Sequence, residues 1–300
     1  EPDQSTRGRI LTPEAPVGRV NSTDDDPLGG SAEGAETGQF LPDGTPEVTL
    51  RSAIEAANLG RIAGIEFDIP AEGLPANGVP VIQPVTNLPA VNAQIPIDGT
   101  TQDGGWVEVR GNGNLDYGIK IIGGNCTLRG FVLNGFSKQD SSTILLSGIG
   151  GNLIVGNRIG LNIDGDAAQA DDTGIQIEDC SENTVGGTLP EDRNYVFGVG
   201  SCILLEGNGS ENNIIVGNSL NMLTTGESAN SNVGVQLNSV GDENRIGGEE
   251  DGEGNQIGCD DTIGIFCASD DPMDGIKVIG NRIGLDEIGT TAAEEGFFGV

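Results

Sequence analysis

TGIQIEDCSENTVGG, from Thr173 to Gly187, contains two short apolar runs broken by turn residues, and a third run, NYVFG, follows at Asn194. Within TGIQIE the apolar residues Ile175 and Ile177 alternate with polar ones, the period of a strand with one buried face. Asp, Ser, Glu, Asn and Gly between the runs are turn formers. The same layout recurs along the chain. GIKII begins at Gly118, TILLSG at Thr143, SCILLEG at Ser201, VGVQL at Val233 and IGIFCA at Ile263, roughly thirty residues apart. A longer period lies on top of this one. SENTVGG at Ser181 returns as DENRIGG at Asp242, and IVGNRIGL at Ile154 returns as IVGNSLNM at Ile215 and VIGNRIGL at Val278. IGLNIDGDAA at Ile159 has a counterpart in IGLDEIGTTAA at Ile283.

Three short strands per thirty residues, joined by turns, make one closed coil. A single coil cannot bury its apolar face. Coils stacked ~4.8 Å apart bury Ile on Ile and pair their backbones with the coils above and below. The predicted fold is therefore all-β, a right-handed parallel β-helix solenoid, with Ile175, Ile203, Val235 and Ile265 stacked in one interior column. Asn157, Asn218 and Asn281 are expected to stack at a corner, where asparagine tolerates the left-handed backbone of a tight turn. A sandwich or a propeller is the alternative for regularly spaced strands. Sandwiches carry more aromatics and hairpin turns, and propeller blades have four strands in about 40 residues.

Working outward, the repeated coils occupy 118–300. Residues 47–117 hold the first coils and VTLRSAIEAANLG at Val48, where Leu50, Ala53, Ile54 and Ala57 fall at helical spacing and Gly60 is a natural stop. GIEFDIP, PVIQPV, IPIDGT and WVEVRG read as strands between Pro and Gly breaks. Residues 1–46 are rich in Gly, Pro, Ser, Asp and Glu and read as mostly irregular and acidic, with one short strand around Arg19 to Ser22.

Composition agrees with this layout. The 300 residues include 50 glycines, well above the usual ~7%. Aromatics are 4%, so the core has to be built from Ile, Val and Leu. With 46 acidic residues, 14 basic ones and no histidine the formal charge is −32. Such a field repels nucleic acid and anionic lipid and suits cations or high salt. Only Lys120, Lys138 and Lys277 are lysines, as expected of a salt-adapted organism, and added salt should stabilise the fold by screening self-repulsion. No stretch approaches the ~20 apolar residues that span a membrane. The chain opens at Glu1 without methionine, which reads as processing or trimming, and it stops at FFGV where a seventh unit begins, which reads as truncation. Five cysteines, Cys126, Cys180, Cys202, Cys259 and Cys267, show no CxxC spacing and read as buried filler, with a disulfide between coils left open.

The order VNST (Val20), TLRSAIEAAN (Thr49), IEFDIP (Ile65), IPIDGTTQ (Ile95), LRGFVLNGFS (Leu128), GNRIGL (Gly156), NTVGG (Asn183) and RNYVFG (Arg193) resembles bacterial secreted or surface right-handed parallel β-helix proteins of the pectate-lyase-like type. In these an N-terminal Leu-Arg-x-Ala-Ile segment precedes the solenoid. The resemblance runs from about Val20 to the end. It implies that the helix caps the open end of the solenoid, with Leu50, Ile54 and Ala57 on the first coil and Arg51 facing its edge. Family members often carry a cysteine before the Leu-Arg pair; here Glu47, Val48 and Thr49 stand there, so a stapling disulfide is absent. The resemblance also implies an extracellular or cell-surface location.

Candidate chemistry is sparse. Solenoids of this type include lyases, glycosidases and non-catalytic surface proteins. A glycosidase needs two carboxylates at a set separation. Asp270 and Asp271 with Lys277 make the minimal catalytic outline, although adjacent acids arise easily in so acidic a chain. Asp164, Asp166, Asp171 and Asp172 in NIDGDAAQADD could bind calcium through oxygen ligands, but lack the spacing of an EF-hand loop. Asp286 and Glu287 hold the related loop, and such recurrence favours a structural role. Arg158, Arg245 and Arg282 each follow Asn and read as turn residues bonded to carbonyls or acids. Trp106 and Tyr117 are either a sugar platform or edge packing. The expected function is a non-catalytic scaffold, adhesive or glycan-binding, with no required cofactor. The alternatives are a polysaccharide lyase or glycoside hydrolase, and a calcium-dependent structural module. Oligomeric state is left open.

Overall fold

The computed structural model describes residues 16–29, 34–166, 172–198, 200–226, 233–258, 263–269 and 273–284. They form a parallel β-solenoid of about seven turns. Three parallel sheets make up the stack: sheet I with nine strands from Gly18 on, sheet II with eight from Val81 and sheet III with six from Tyr117. Sheet III has the longest strands: Tyr117–Ile121, Ser142–Ser147, Thr173–Glu178, Ser201–Glu206, Val233–Asn238 and Ile263–Ala268. Each coil runs from sheet III to sheet I to sheet II and on to sheet III of the next coil.

Register explains why these sequences choose this fold. Ile144, Ile175, Ile203, Val235 and Ile265 are direct partners on successive strands of sheet III, so the interior column expected from the repeats is present. Sheets I and II carry equivalent columns, such as Leu128, Ile154, Val185, Ile215 and Ile246 in sheet I. All of these are buried. β-Branched side chains suit this role because they fill a pleated surface with little rotamer freedom to lose.

The corner between sheets I and II departs from expectation. Asn157, Asn218 and Asn281 do align there, but Asn194 and Asn255 fill the coils between them, which makes one continuous ladder. None of these five asparagines adopts a positive φ. Gly156, Gly217 and Gly280 take the left-handed turn just before the corner, at φ 63°, 65° and 66°. The asparagine is needed for its amide. Asn218 Nδ2 donates to the carbonyls of Val185 and Val216 and to Asn255 Oδ1. It thereby adds a second bond to the Val185 carbonyl, which also accepts from Val216 N–H, and ties the corner to the next coil. A second ladder, Asn152, Asn183, Asn213 and Asn244, fastens the corner between sheets III and I.

The N-terminal part is built differently. Gly18–Val20 is the first strand of sheet I and pairs with Ile65–Phe67. One α-helix, α1 (Leu50–Asn58), follows. Thr49 is its N-cap and exchanges side-chain bonds with Ser52 in a capping box. Leu50, Ala53, Ile54 and Ala57 are buried, while Gly60 just past the end takes φ 71°. Phe67 and Phe131 meet edge to face at 5.4 Å inside the early coils.

Candidate functional site

The outward face of sheet III is the most regular polar surface of the described residues. Along its middle, Lys120, Leu145, Gln176, Leu204, Gln236 and Phe266 are partners on successive strands. The neighbours of each point inward, so these side chains face out. Lys120 through Gln236 are half-buried and Phe266 is exposed. Beside them a second column holds Ser147, Glu178, Glu206, Asn238 and Ala268. The column therefore alternates apolar and amide residues from Leu145 onward.

Hydrogen bonds repeat with the same two-coil period. Ser142 Oγ donates to Gln176 Oε1, and Gln176 Nε2 donates to Glu206 Oε1. Two coils on, Ser201 Oγ donates to Gln236 Oε1 at 2.7 Å, and Gln236 Nε2 donates to Asn238 Oδ1 at 3.0 Å. These bonds fix both amides in orientation, which is how a rigid element presents polar groups to a ligand. At the first strand of the sheet, Lys120 Nζ sits 5.9 Å from the centre of the Tyr117 ring. Tyr117 in turn donates its hydroxyl to the Leu88 carbonyl at 3.2 Å. Burial, helped by the charge of Asp116, raises its phenol pKa, so the ring stays neutral.

The residues singled out in the sequence are dispersed. Lys277 lies in sheet I and pairs with Glu243 of the preceding coil at 3.0 Å, both about half exposed. Asp270 and Asp271 lie outside the described residues. Asp166 accepts from Asn162 Nδ2 at 2.8 Å, and Asp172 accepts from the Asp140 backbone at 2.7 Å. The Asp164 carbonyl accepts from Thr224 Oγ1, and Thr224 N donates to the Gly165 carbonyl, so loops two coils apart are joined. Asp171, Asp286 and Glu287 lie outside the described residues. Among the described residues no group of three or more His, Cys, Asp or Glu could hold a metal ion.

Two of the repeat arginines serve their turns as expected. Arg158 donates to the Ile163 carbonyl, and Arg245 bonds the Gly247 carbonyl and Glu253. The Arg158 guanidinium also stacks 4.6 Å from the centre of the Trp106 ring, so one face of that ring is occupied by protein. Burial pushes the Arg158 pKa down, against the pull of Tyr195 and Asp164. Cys126, Cys180 and Cys202 are buried thiols, and burial raises the first two above the ordinary range, which keeps them protonated and inert. Cys267 is an exposed thiol, and Cys259 lies outside the described residues.

The sequence reading missed the pair Glu178 and Glu206, which sit opposite each other on neighbouring strands of the outward face. They are 28 residues apart in the chain, and Glu206 has no acidic neighbour in sequence. Counting alternate positions from Gln176 and Leu204 would have found them. Two hollows also open in the N-terminal part. One, of about 290 Å³, lies between Asn21, Leu41, Ile69 and Leu74. The other, of about 570 Å³, is an open acidic recess around Asp24, Asp26 and Glu55. No protein-family model matches the chain. No curated protein matches it either.

Proposed function

We propose that this protein is a non-catalytic extracellular or cell-surface β-helix scaffold that binds glycan along the outward face of sheet III. The observation that carries the reading is the repeated Ser→Gln pattern on that face, with half-buried Leu145 and Leu204 each preceding an amide in the column. Sugars are recognised by fixed amides and hydroxyls set beside apolar surface, and here both come in register on rigid strands. The resemblance to bacterial secreted and surface β-helix proteins supports the location. The acidic surface suits a salt-rich exterior. The absence of any helix long and apolar enough to cross a membrane among the described residues is compatible with either location.

A specific observation favours a second reading. Glu178 and Glu206 are strand partners, so their backbones stand one coil apart, ~4.8 Å. Retaining glycosidases hold their two carboxyl groups about 5–5.5 Å apart. In that reading one glutamate attacks the anomeric carbon and the other protonates the leaving oxygen. A third reading, calcium-dependent folding, rests on the acidic stretch of Asp164, Asp166, Asp171 and Asp172 and predicts a lower melting temperature in chelator.

One experiment separates them. The chain is incubated with neutral and acidic polysaccharides, with and without calcium, and scored for retention on the polymer, new reducing ends and unsaturated products. Retention without product supports the scaffold. New reducing ends that vanish in Glu206→Gln support the hydrolase. No retention on any polymer removes the glycan reading.

A further inference from the structure

We infer that the glycan held by sheet III is an uncharged polysaccharide in an extended twofold conformation, lying along the solenoid axis with one disaccharide per two coils; this rests on the glycan-binding reading. The period is the argument. Leu145, Leu204 and Phe266 recur at two-coil intervals, and Gln176 and Gln236 occupy the coils between. Two coils advance about 9.6 Å, twice the ~4.8 Å spacing of hydrogen-bonded strands. That is close to the repeat of an extended disaccharide whose rings are joined through equatorial β linkages. In such a ribbon successive rings flip over, so any one side of the chain presents the same group only at every second sugar. A surface that alternates apolar and amide residues at the coil spacing meets that chain in register. A helical glucan such as amylose curves away from a straight column, and a threefold chain drifts out of phase with it.

Charge selects further. Along the middle column and the one beside it Lys120 is the single cation, at the first strand, while Glu178 and Glu206 add negative charge at the centre. In a chain of formal charge −32 this face opposes a polyuronate and favours a neutral polymer. From Leu145 to Phe266 the column covers four coil steps, about 19 Å. That length accommodates about two disaccharides.

The test uses the full chain with microcrystalline cellulose and β-chitin as twofold neutral polymers, amylose as a helical neutral one and polygalacturonate as a charged one. Retention on cellulose or β-chitin, with none on amylose or polygalacturonate, is the expected result. Retention only on amylose or polygalacturonate overturns the inference and leaves the glycan-binding reading standing, whereas retention on none overturns both. The paired exchange Gln176→Leu with Leu204→Gln then keeps composition and destroys the period. It should weaken binding about tenfold, the loss of roughly two net hydrogen bonds, while the chain stays folded with a cooperative melt. Undiminished binding by a folded exchange variant overturns the inference. Should that variant fail to fold, Gln236→Ala is measured on the polymer retained, and an unweakened affinity counts against the inference in the same way.

Discussion

Between Asn152 and Asn281 successive coils fasten two of their corners with stacked asparagines, whereas between Pro16 and Tyr117 the turns are held by side chains that do not repeat from coil to coil. In the repeated coils an asparagine amide bonds the carbonyls of its own corner and the asparagine of the next coil. In the early coils the work falls to long side chains used once. Gln102 bonds both the N–H and the carbonyl of Ile69. Asn58 bonds the Ala90 carbonyl and the Asn92 N–H. Arg51 grips Asp25 through two nitrogens and also reaches the carbonyls of Thr86 and Asn87. The contrast follows from geometry. Identical corners stacked at a fixed rise pose one problem, and one side chain solves it repeatedly. The first coils vary in length and carry a helix, so each corner differs.

The largest effect is expected within the ladder. Asn213 donates to Cys180 O and Asn244 Oδ1, and its Oδ1 accepts both the N–H and the Nδ2 of Asn183. Asn213→Ala strips partners from several fully buried groups, so a loss of about 4 kcal/mol is expected, at ~1–3 kcal/mol for each orphaned group. Urea unfolding reads it. A loss below about 1 kcal/mol would mean that water replaces the amide and that the ladder is not the fastening of these coils.

Arg51→Ala comes next, at about 2–3 kcal/mol, because it leaves Asp25 mostly buried without its cation. The comparison predicts a difference in place as well as size. Solenoids unfold from their ends when a terminal contact is lost. Hydrogen exchange in the Arg51 variant should quicken around Val20 and Val85 and stay slow at Ile203. The Asn213 variant should quicken exchange in the middle coils. Identical exchange patterns in the two variants would show that the solenoid unfolds as one unit.

The same contrast sets what was legible in the sequence. The stacking of Ile175 on Ile203 follows from spacing alone, since repeats must superpose. The helix at Leu50 was legible from its apolar period. Asn194 escaped notice because it follows an Arg rather than a Gly, and the loop before it is longer than its neighbours. Its place in the ladder shows only when three dimensions align the corners. The outward face of sheet III was hidden for another reason. Its residues are defined by lying between buried ones, and Leu145 and Leu204 read as core when taken singly. Asp270 and Lys277 drew attention as neighbours in sequence, yet Lys277 is committed to Glu243 of the previous coil.

A smaller effect marks the boundary between the two regions. Asp98, in the early coils, bonds Arg129 at 2.7 Å in the coil after it. Burial pushes its carboxyl pKa up, but Arg129 and Thr100 outweigh that and hold it below the ordinary carboxylate value. A lowered folded pKa means that Asp98 binds protons more readily when unfolded. Its contribution is therefore complete above about pH 3.8 and is lost as pH falls through the folded value. Arg129→Met leaves the burial and removes the cation, so the variant should melt below the parent above the unfolded pKa, and the gap should close as pH falls. Melting temperature between pH 2 and 6 checks it, and superposable profiles would remove the pair from the account.

The smallest effect is expected at Lys277, where the coil-to-coil logic is the same but the setting is water. Lys277 reaches back one coil to Glu243 at 3.0 Å, as the asparagines reach between coils, yet both partners are about half exposed. Solvent screens the pair, and ordering two long side chains costs entropy, so Lys277→Ala should change stability by no more than about 0.5 kcal/mol. Raising the salt concentration should shrink even that, while the Asn213 loss stays constant because neutral buried amides are not screened. The two variants measured side by side in low and high salt thus separate burial from bonding pattern as the source of ladder strength. A Lys277 loss as large as that of Asn213 would mean that the pattern matters more than the burial. The same variant tested on polysaccharide should bind as the parent does, since Lys277 lies in sheet I and not in the sheet III column at Leu204; weakened binding would return Lys277 to the candidate site.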